Sequence, residues 1–167
     1  MDLRPNYPAE FLDAVSRVLK DEGGFVDNGA DPGGETKFGI SKRSYPHLDI
    51  RNLTRDDAIE IYFRDWWERL HFDQLPAGIA GKVFDLAVNM GAHAAFVCLQ
   101  RATRACGRLV VEDGILGDAT RVAVLDCYPA ALLAALRSEA AAYYRELAAR
   151  NGRDQEFLRG WLNRAYE

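Results

Sequence analysis

No apolar run in the 167 residues approaches the roughly 20 needed to cross a bilayer, so stable membrane insertion is excluded. The opening stretch, MDLRPNYPAEF, also lacks the apolar segment of a secretory signal. Synthesis in the cytoplasm without a leader is therefore expected, and work outside it would need another export route. Cysteine is scarce. Cys98, Cys106 and Cys127 cannot all pair within one chain, and they sit on apolar helical patterns, so buried free thiols are expected. That usage fits a reducing compartment. Positive charge is also lacking: the net charge of −4 argues against a nucleic-acid partner.

Metal and cofactor signatures are missing as well. His47, His71 and His93 are scattered, with no HExxH or CxxC spacing, so no zinc site is expected. Asp27 to Phe38 superficially resembles a calcium loop. It fails because Gly29 stands third, Pro32 sixth, and Phe38 replaces the twelfth-position glutamate. There is no G-x-S-x-G elbow, P-loop or dinucleotide fingerprint. No cofactor is expected.

What is present is helical periodicity. Apolar residues make up 49% of the chain, enough for a core, and they recur at helical spacing. Phe11, Leu12, Val15, Val18 and Leu19 form a first apolar stripe, stopped by Gly23-Gly24. Residues 23–40 hold six glycines and read as a loop with room for a short hairpin. Thr54 with Asp57 forms a variant capping box that opens a helix through Trp66-Trp67. Residues 76–90 read as an almost all-round apolar helix. Further helices are expected near 92–106, 118–127, 129–150 and 154–165. The expected fold is all-α, with at most a small β-hairpin near the N-terminus, in one domain over 1–167.

The stretch Glu22-Gly-Gly-Phe-Val-Asp-Asn-Gly-Ala-Asp31-Pro-Gly-Gly-Glu35-Thr36-Lys-Phe38-Gly39-Ile40 concentrates acids on a glycine-rich segment after a helix. A carboxyl at the negative end of a helix dipole is disfavoured as an anion, and apolar neighbours add to that. Glu22 is thus suited to donate a proton near neutrality. Glycoside cleavage needs such an acid beside the leaving oxygen, plus a second group to place water or stabilise a cationic sugar. Asp31 supplies a carboxylate and Thr36 a hydroxyl. Glu35 competes for the second-carboxylate role, while Asp27 reads as a turn residue. Asp and Gly are also plain turn formers, so the pattern alone leaves a structural reading open.

Taken together, Glu22-Gly23-Gly24-Phe25 and Asp31-Pro32-Gly33-Gly34-x-Thr36-x-x-Gly39-Ile40 resemble the signature of glycoside hydrolase family 108, N-acetylmuramidases also labelled secretion activator proteins. The resemblance implies a lysozyme-like fold with a cleft between two helical lobes. It also implies Glu22 as catalytic acid. The Glu-x8-Asp-x4-Thr spacing is similar to that of phage-type lysozymes, whose threonine lies one residue further on. Val111-Glu112-Asp113-Gly114-Ile115-Leu116-Gly117-Asp118-Ala119-Thr120 resembles the D-G-x-x-G-x-x-T turn of predicted peptidoglycan-binding segments, with Leu99-Gln100 upstream in the same pattern. We read that turn as mainly architectural. The implied division is a catalytic portion over 9–93 and a peptidoglycan-binding-like helical portion over 94–167.

Asp85 and Asn89 stand at i and i+4 and share a helix face, as a satisfied structural pair or as cleft residues. The segment Asn89-Met90-Gly91 resembles the Asn-x-Gly helix end of phage-type lysozymes, which implies Asn89 beside substrate. Phe38 and Trp66 are candidate sugar platforms, with Tyr45, Tyr62, Trp67 and Trp161 as further aromatics. The expected partners are peptidoglycan glycan strands, and a monomer is expected. Acting at the cell wall or periplasm, the protein would be a phage or prophage endolysin released by a holin, or a bacterial wall-remodelling enzyme. The competing expectations are a non-catalytic wall-binding or secretion-regulating protein on the same scaffold, and a chitinase-like hydrolase.

Overall fold

A computed structural model describes residues 6–21, 25–26 and 34–167, with the side chains of Asp21 and Arg153 left aside. The fold is mainly helical, with seven α-helices and one two-stranded sheet among the described residues. This is the lysozyme-like, all-α class with a small hairpin. The chain packs as two compact units, 1–70 and 71–167.

In the first unit, α1 (Ala9–Asp21) buries Phe11, Ala14, Val15, Val18 and Leu19. The sequence stripe included Leu12, but that side chain is exposed and Ala14 takes the inward place. Positions 11, 14, 15 and 18 follow the helical repeat, whereas residue 12 turns about 100° away from residue 11. Helix α2 (Arg55–Tyr62) begins at the capping box: the Asp57 N–H donates to Thr54 Oγ1 at 3.1 Å, and the Thr54 N–H donates to the Asp57 carboxylate at 2.8 Å. The expected α-helix through both tryptophans widens instead into a π-helical stretch, Phe63–Glu68. That stretch separates the two side chains. Trp67 is buried with its ring 5.4 Å from Phe11, while Trp66 is half-buried and sits 6.4 Å from Tyr62. Strands β1 (Thr36–Lys37) and β2 (Ile40–Ser41) pair antiparallel, with Thr36 opposite Ser41.

The second unit opens with a 3-10 turn, Phe72–Gln74, followed by α3 (Ile79–Met90) and α4 (Ala92–Ala105). Gly91, at φ +88, lets the two helices follow each other directly. Next come α5 (Asp118–Leu125), α6 (Pro129–Arg150), with proline at its first position as expected, and α7 (Leu158–Tyr166). The helix expected from 154 starts later: Gly152–Glu156 form a 3-10 turn and α-helical geometry begins at Leu158. Helix α6 packs on α3, α4 and α7, which places α3 in this unit rather than in the first. Phe72, Phe84 and Phe96 form an aromatic cluster with ring centroids 5.7 and 5.9 Å apart.

The D-G-x-x-G-x-x-T turn wraps a fully buried amide. Gln100 on α4 donates from Nε2 to the Asp113 carboxylate (2.7 Å), the Ile115 carbonyl (3.1 Å) and Thr120 Oγ1 (3.1 Å), and its Oε1 accepts from the Gly114 N–H (2.9 Å). Asp113 also accepts from the Ile115 N–H at 2.9 Å. Glycine is required at 114 by its φ of +69 and by the His93 ring, which lies 2.4 Å from where a Cβ would stand. The motif thus satisfies one buried side chain, in line with an architectural role. Glu112, just before the turn, bridges Arg101 (3.0 Å) and Arg104 (3.2 Å).

Candidate active site

Glu22, Asp27, Asp31 and the glycines between them lie outside the described residues, as does the expected helix-end position of Glu22. What is described is the hairpin that follows this segment. Thr36 sits on β1 with its backbone locked on both sides. It exchanges hydrogen bonds with Val26 (2.8 and 2.9 Å) and pairs with Ser41 across the hairpin. Its hydroxyl donates a long bond, 3.4 Å, to the Gly34 carbonyl. The rival carboxylate, Glu35, lies 3.7 Å from the Arg51 guanidinium, which in turn stacks 4.6 Å over the Phe25 ring.

The turn of the hairpin is Phe38-Gly39, with φ of +53 and +75. Two positive φ values between paired residues 37 and 40 make a two-residue turn of the I′ kind, which matches the twist of the strands. Glycine fits there freely; phenylalanine does so at a cost of about 1–2 kcal/mol. The surrounding structure holds Phe38 in place. The Tyr62 hydroxyl donates to the Phe38 carbonyl at 3.0 Å. Lys37 Nζ donates to the Arg51 carbonyl at 2.9 Å, and Lys42 Nζ to the Leu48 carbonyl at 2.7 Å. A half-buried aromatic in a strained turn is the kind of feature that function, rather than stability, maintains.

Tyr62 links Phe38 to Trp66, because its buried ring is the one that Trp66 approaches. Tyr45 joins the same cluster. It hydrogen-bonds Asp65 and Trp66, and burial, followed by the Asp65 carboxylate, raises its hydroxyl above the ordinary tyrosine value. Asp65 is held below the usual carboxylate range by its bidentate partner Arg64, at 2.7 and 3.0 Å. The structure therefore brings Thr36, Phe38 and Trp66 onto one framework in the first unit. Its supports at Lys37, Lys42 and Arg64 carried no distinguishing sequence pattern.

Asp85 and Asn89 do share a face of α3, in the second unit. Asp85 forms an ion pair with Arg164 at 2.7 Å and lies 3.9 Å from Lys82, whose ammonium donates to the Arg164 carbonyl. Burial pulls the Lys82 ammonium below its usual value, and Asp85 partly restores it. Asn89 is exposed, and its Oδ1 accepts from the Tyr144 hydroxyl at 2.7 Å. Tyr144 is pushed upward, chiefly by burial, and stacks on Trp161 with centroids 5.4 Å apart. So Asp85 is occupied inside the unit, while Asn89 is oriented at its surface. Arg164 and Tyr144, far off in sequence, gave no advance sign of this pairing.

A mainly helical fold with one tight hairpin is of the lysozyme-like class. Residues 15–91 match the family model described as Glycosyl hydrolase 108, and residues 94–166 match one described as Predicted Peptidoglycan domain. The chain thus carries a segment similar to glycosyl hydrolase 108 followed by one similar to a predicted peptidoglycan domain, and its function is peptidoglycan-related. The structure of Brucella abortus SagA is similar over 94% of this chain and 96% of that chain, with a TM-score of 0.67 and 26% identity. No curated protein matches the chain. No helix among the described residues is long and apolar enough to cross a membrane.

Proposed function

We propose that the protein is a muramidase that hydrolyses the glycosidic bond between N-acetylmuramic acid and N-acetylglucosamine. The observation that carries this reading is that the glycosyl hydrolase 108 match spans Glu22, Asp31 and Thr36, with Thr36 on a fixed strand. Glu22 protonates the departing glycosidic oxygen. Asp31 and the Thr36 hydroxyl place the attacking water or stabilise the oxocarbenium-like sugar. The weak bond from Thr36 to the Gly34 carbonyl is readily exchanged for one to water. Phe38 and Trp66 offer faces to sugar rings, and Asn89, exposed on α3, offers its side-chain amide to the glycan. By analogy with phage-type lysozymes we assign an inverting course, with the carboxyls about 6.5–9.5 Å apart.

The protein acts at the wall or in the periplasm as a monomer, either as an endolysin released by a holin or in wall remodelling. Substitution of Glu22 by Gln tests the assignment, because it removes a general acid worth about 10²–10⁴-fold in rate. Wild type is expected to clear a suspension of purified peptidoglycan. Glu22→Gln is expected to sediment with the insoluble wall as wild type does, yet leave turbidity unchanged. Equal clearing by both proteins would remove Glu22 from its role, and binding without lysis by wild type would leave only a wall-binding protein.

A further inference from the structure

The odd number of cysteines conceals a pair. Cys106 closes the C-terminal end of α4, its N–H donating to the Ala102 and Thr103 carbonyls at 3.1 Å each. Cys127 follows the end of α5, with its N–H on the Val124 carbonyl (3.1 Å) and its thiol on the Ala123 carbonyl (3.3 Å). Arg108 clamps these two helix ends together. Its guanidinium bonds the Asp126 carboxylate at 2.6 Å and the Asp126 carbonyl at 2.9 and 3.2 Å. The clamp holds the two helix ends side by side, and Cys106 is near enough to Cys127 to raise its thiol. Cys98 stands apart. It is buried within α4 at 1% exposure, and burial pushes its thiol up to about 11.

We propose that Cys106 and Cys127 are a redox pair that closes into an intramolecular disulfide on meeting a small-molecule disulfide such as oxidised glutathione. Cys106, half-buried where Cys127 is buried, is the more accessible sulfur and reacts first. Its thiolate attacks the small disulfide and expels one small thiolate. The Cys127 thiolate then attacks the Cys106 sulfur and expels the second. One small disulfide is reduced to two small thiols, the two cysteines are oxidised to one disulfide, and the two cysteine protons pass to the leaving thiolates. Burial, with the neighbouring Cys106, raises the Cys127 thiol, so closure is slow at neutrality and quickens as pH rises. The bridge encloses the turn around Gln100 and all of α5, and it constrains the unfolded chain across that segment. The protein would thus leave a reducing compartment with three thiols and gain a cross-link in an oxidising one. This inference stands whether or not the protein is a muramidase.

The test is to incubate the folded full-length chain with oxidised glutathione at pH 8, block remaining thiols with an alkylating agent, digest, and map the products by mass spectrometry. The expected result is loss of two hydrogens from the intact mass and a linked peptide joining Cys106 to Cys127. Cys98 should be alkylated only after denaturation. The oxidised protein should melt higher than the reduced one, and a dithiol reductant should reverse the shift. Cys106→Ser and Cys127→Ser should each abolish the mass loss. A stable glutathione adduct on Cys106 without closure, a bridge that includes Cys98, a disulfide-linked dimer, or three thiols still free would each overturn the proposal.

Discussion

Replacing Gln100 with Ala removes the centre of the network that shapes the α4–α5 connection. The substitution leaves the buried Gly114 N–H without its acceptor at 2.9 Å and deletes the bonds to the Ile115 carbonyl and Thr120 hydroxyl. An orphaned buried N–H costs about 1–3 kcal/mol, and each lost neutral hydrogen bond about 1 kcal/mol. Thr120 Oγ1 keeps a 3.3 Å bond to Ile115, which offsets part of the loss. The sum is a destabilisation of about 3 kcal/mol, or a fall in Tm of roughly 6–12 °C for a chain of this size. Differential scanning calorimetry reads it directly. Gln100→Glu sharpens the test, because it keeps the volume and the acceptor for Gly114 but sets a carboxylate where the amide now donates to Asp113 at 2.7 Å. Like charges raise the folded-state pKa of the new acid above its unfolded value. The folded state then binds more protons, so the variant regains stability as pH falls from 8 to 5. A Tm loss under about 3 °C for Gln100→Ala, or a Gln100→Glu penalty indifferent to pH, would refute the reasoning.

Three other outcomes follow from the structure. Phe38→Asn should raise Tm by roughly 2–4 °C, since asparagine tolerates positive φ and relieves about 1 kcal/mol, while the rate of peptidoglycan lysis falls; parallel melting and turbidity curves check both. Thr54→Ala should cost about 1 kcal/mol at pH 7. Thr54 holds the Asp57 carboxyl below its ordinary 3.8, so the unfolded state binds more protons as pH drops and the capping contribution fades below that value; urea melts at pH 7 and pH 3 should show the variant's deficit shrinking. Arg164→Ala removes the 2.7 Å ion pair of the half-buried Asp85, with Lys82 still 3.9 Å away. A loss of about 3 kcal/mol in denaturant midpoint analysis is expected.

The helices were legible because burial imposes a repeat on their apolar residues. The capping box at Thr54 and Asp57 and the proline that opens α6 were readable for the same local reason. Leu12 misled because a five-residue stripe is broader than the face that packs. The π-helical widening at Phe63–Glu68 has no one-dimensional signature, since it depends on where Trp67 finds Phe11. The Phe38-Gly39 turn was hinted at by glycine alone, and a phenylalanine at φ +53 is a tertiary outcome held by Tyr62. Asp85 and Asn89 were visible as a pair on one face, but their partners Arg164 and Tyr144 lie too far along the chain for any spacing rule. The proximity of Cys106 to Cys127 is likewise set by how two helix ends meet.

The most direct measurement is the chemical identity of the new chain ends. Purified sacculi are digested with wild type and with Glu22→Gln, reduced with borohydride, hydrolysed, and the sugar alcohols counted. A glutamic acid that protonates the oxygen leaving from the muramic acid anomeric carbon predicts muramitol accumulating with wild type, reduced at least 100-fold for the variant, as expected on loss of a general acid. Glucosaminitol in its place, or muramitol formed equally fast by both proteins, would contradict the account.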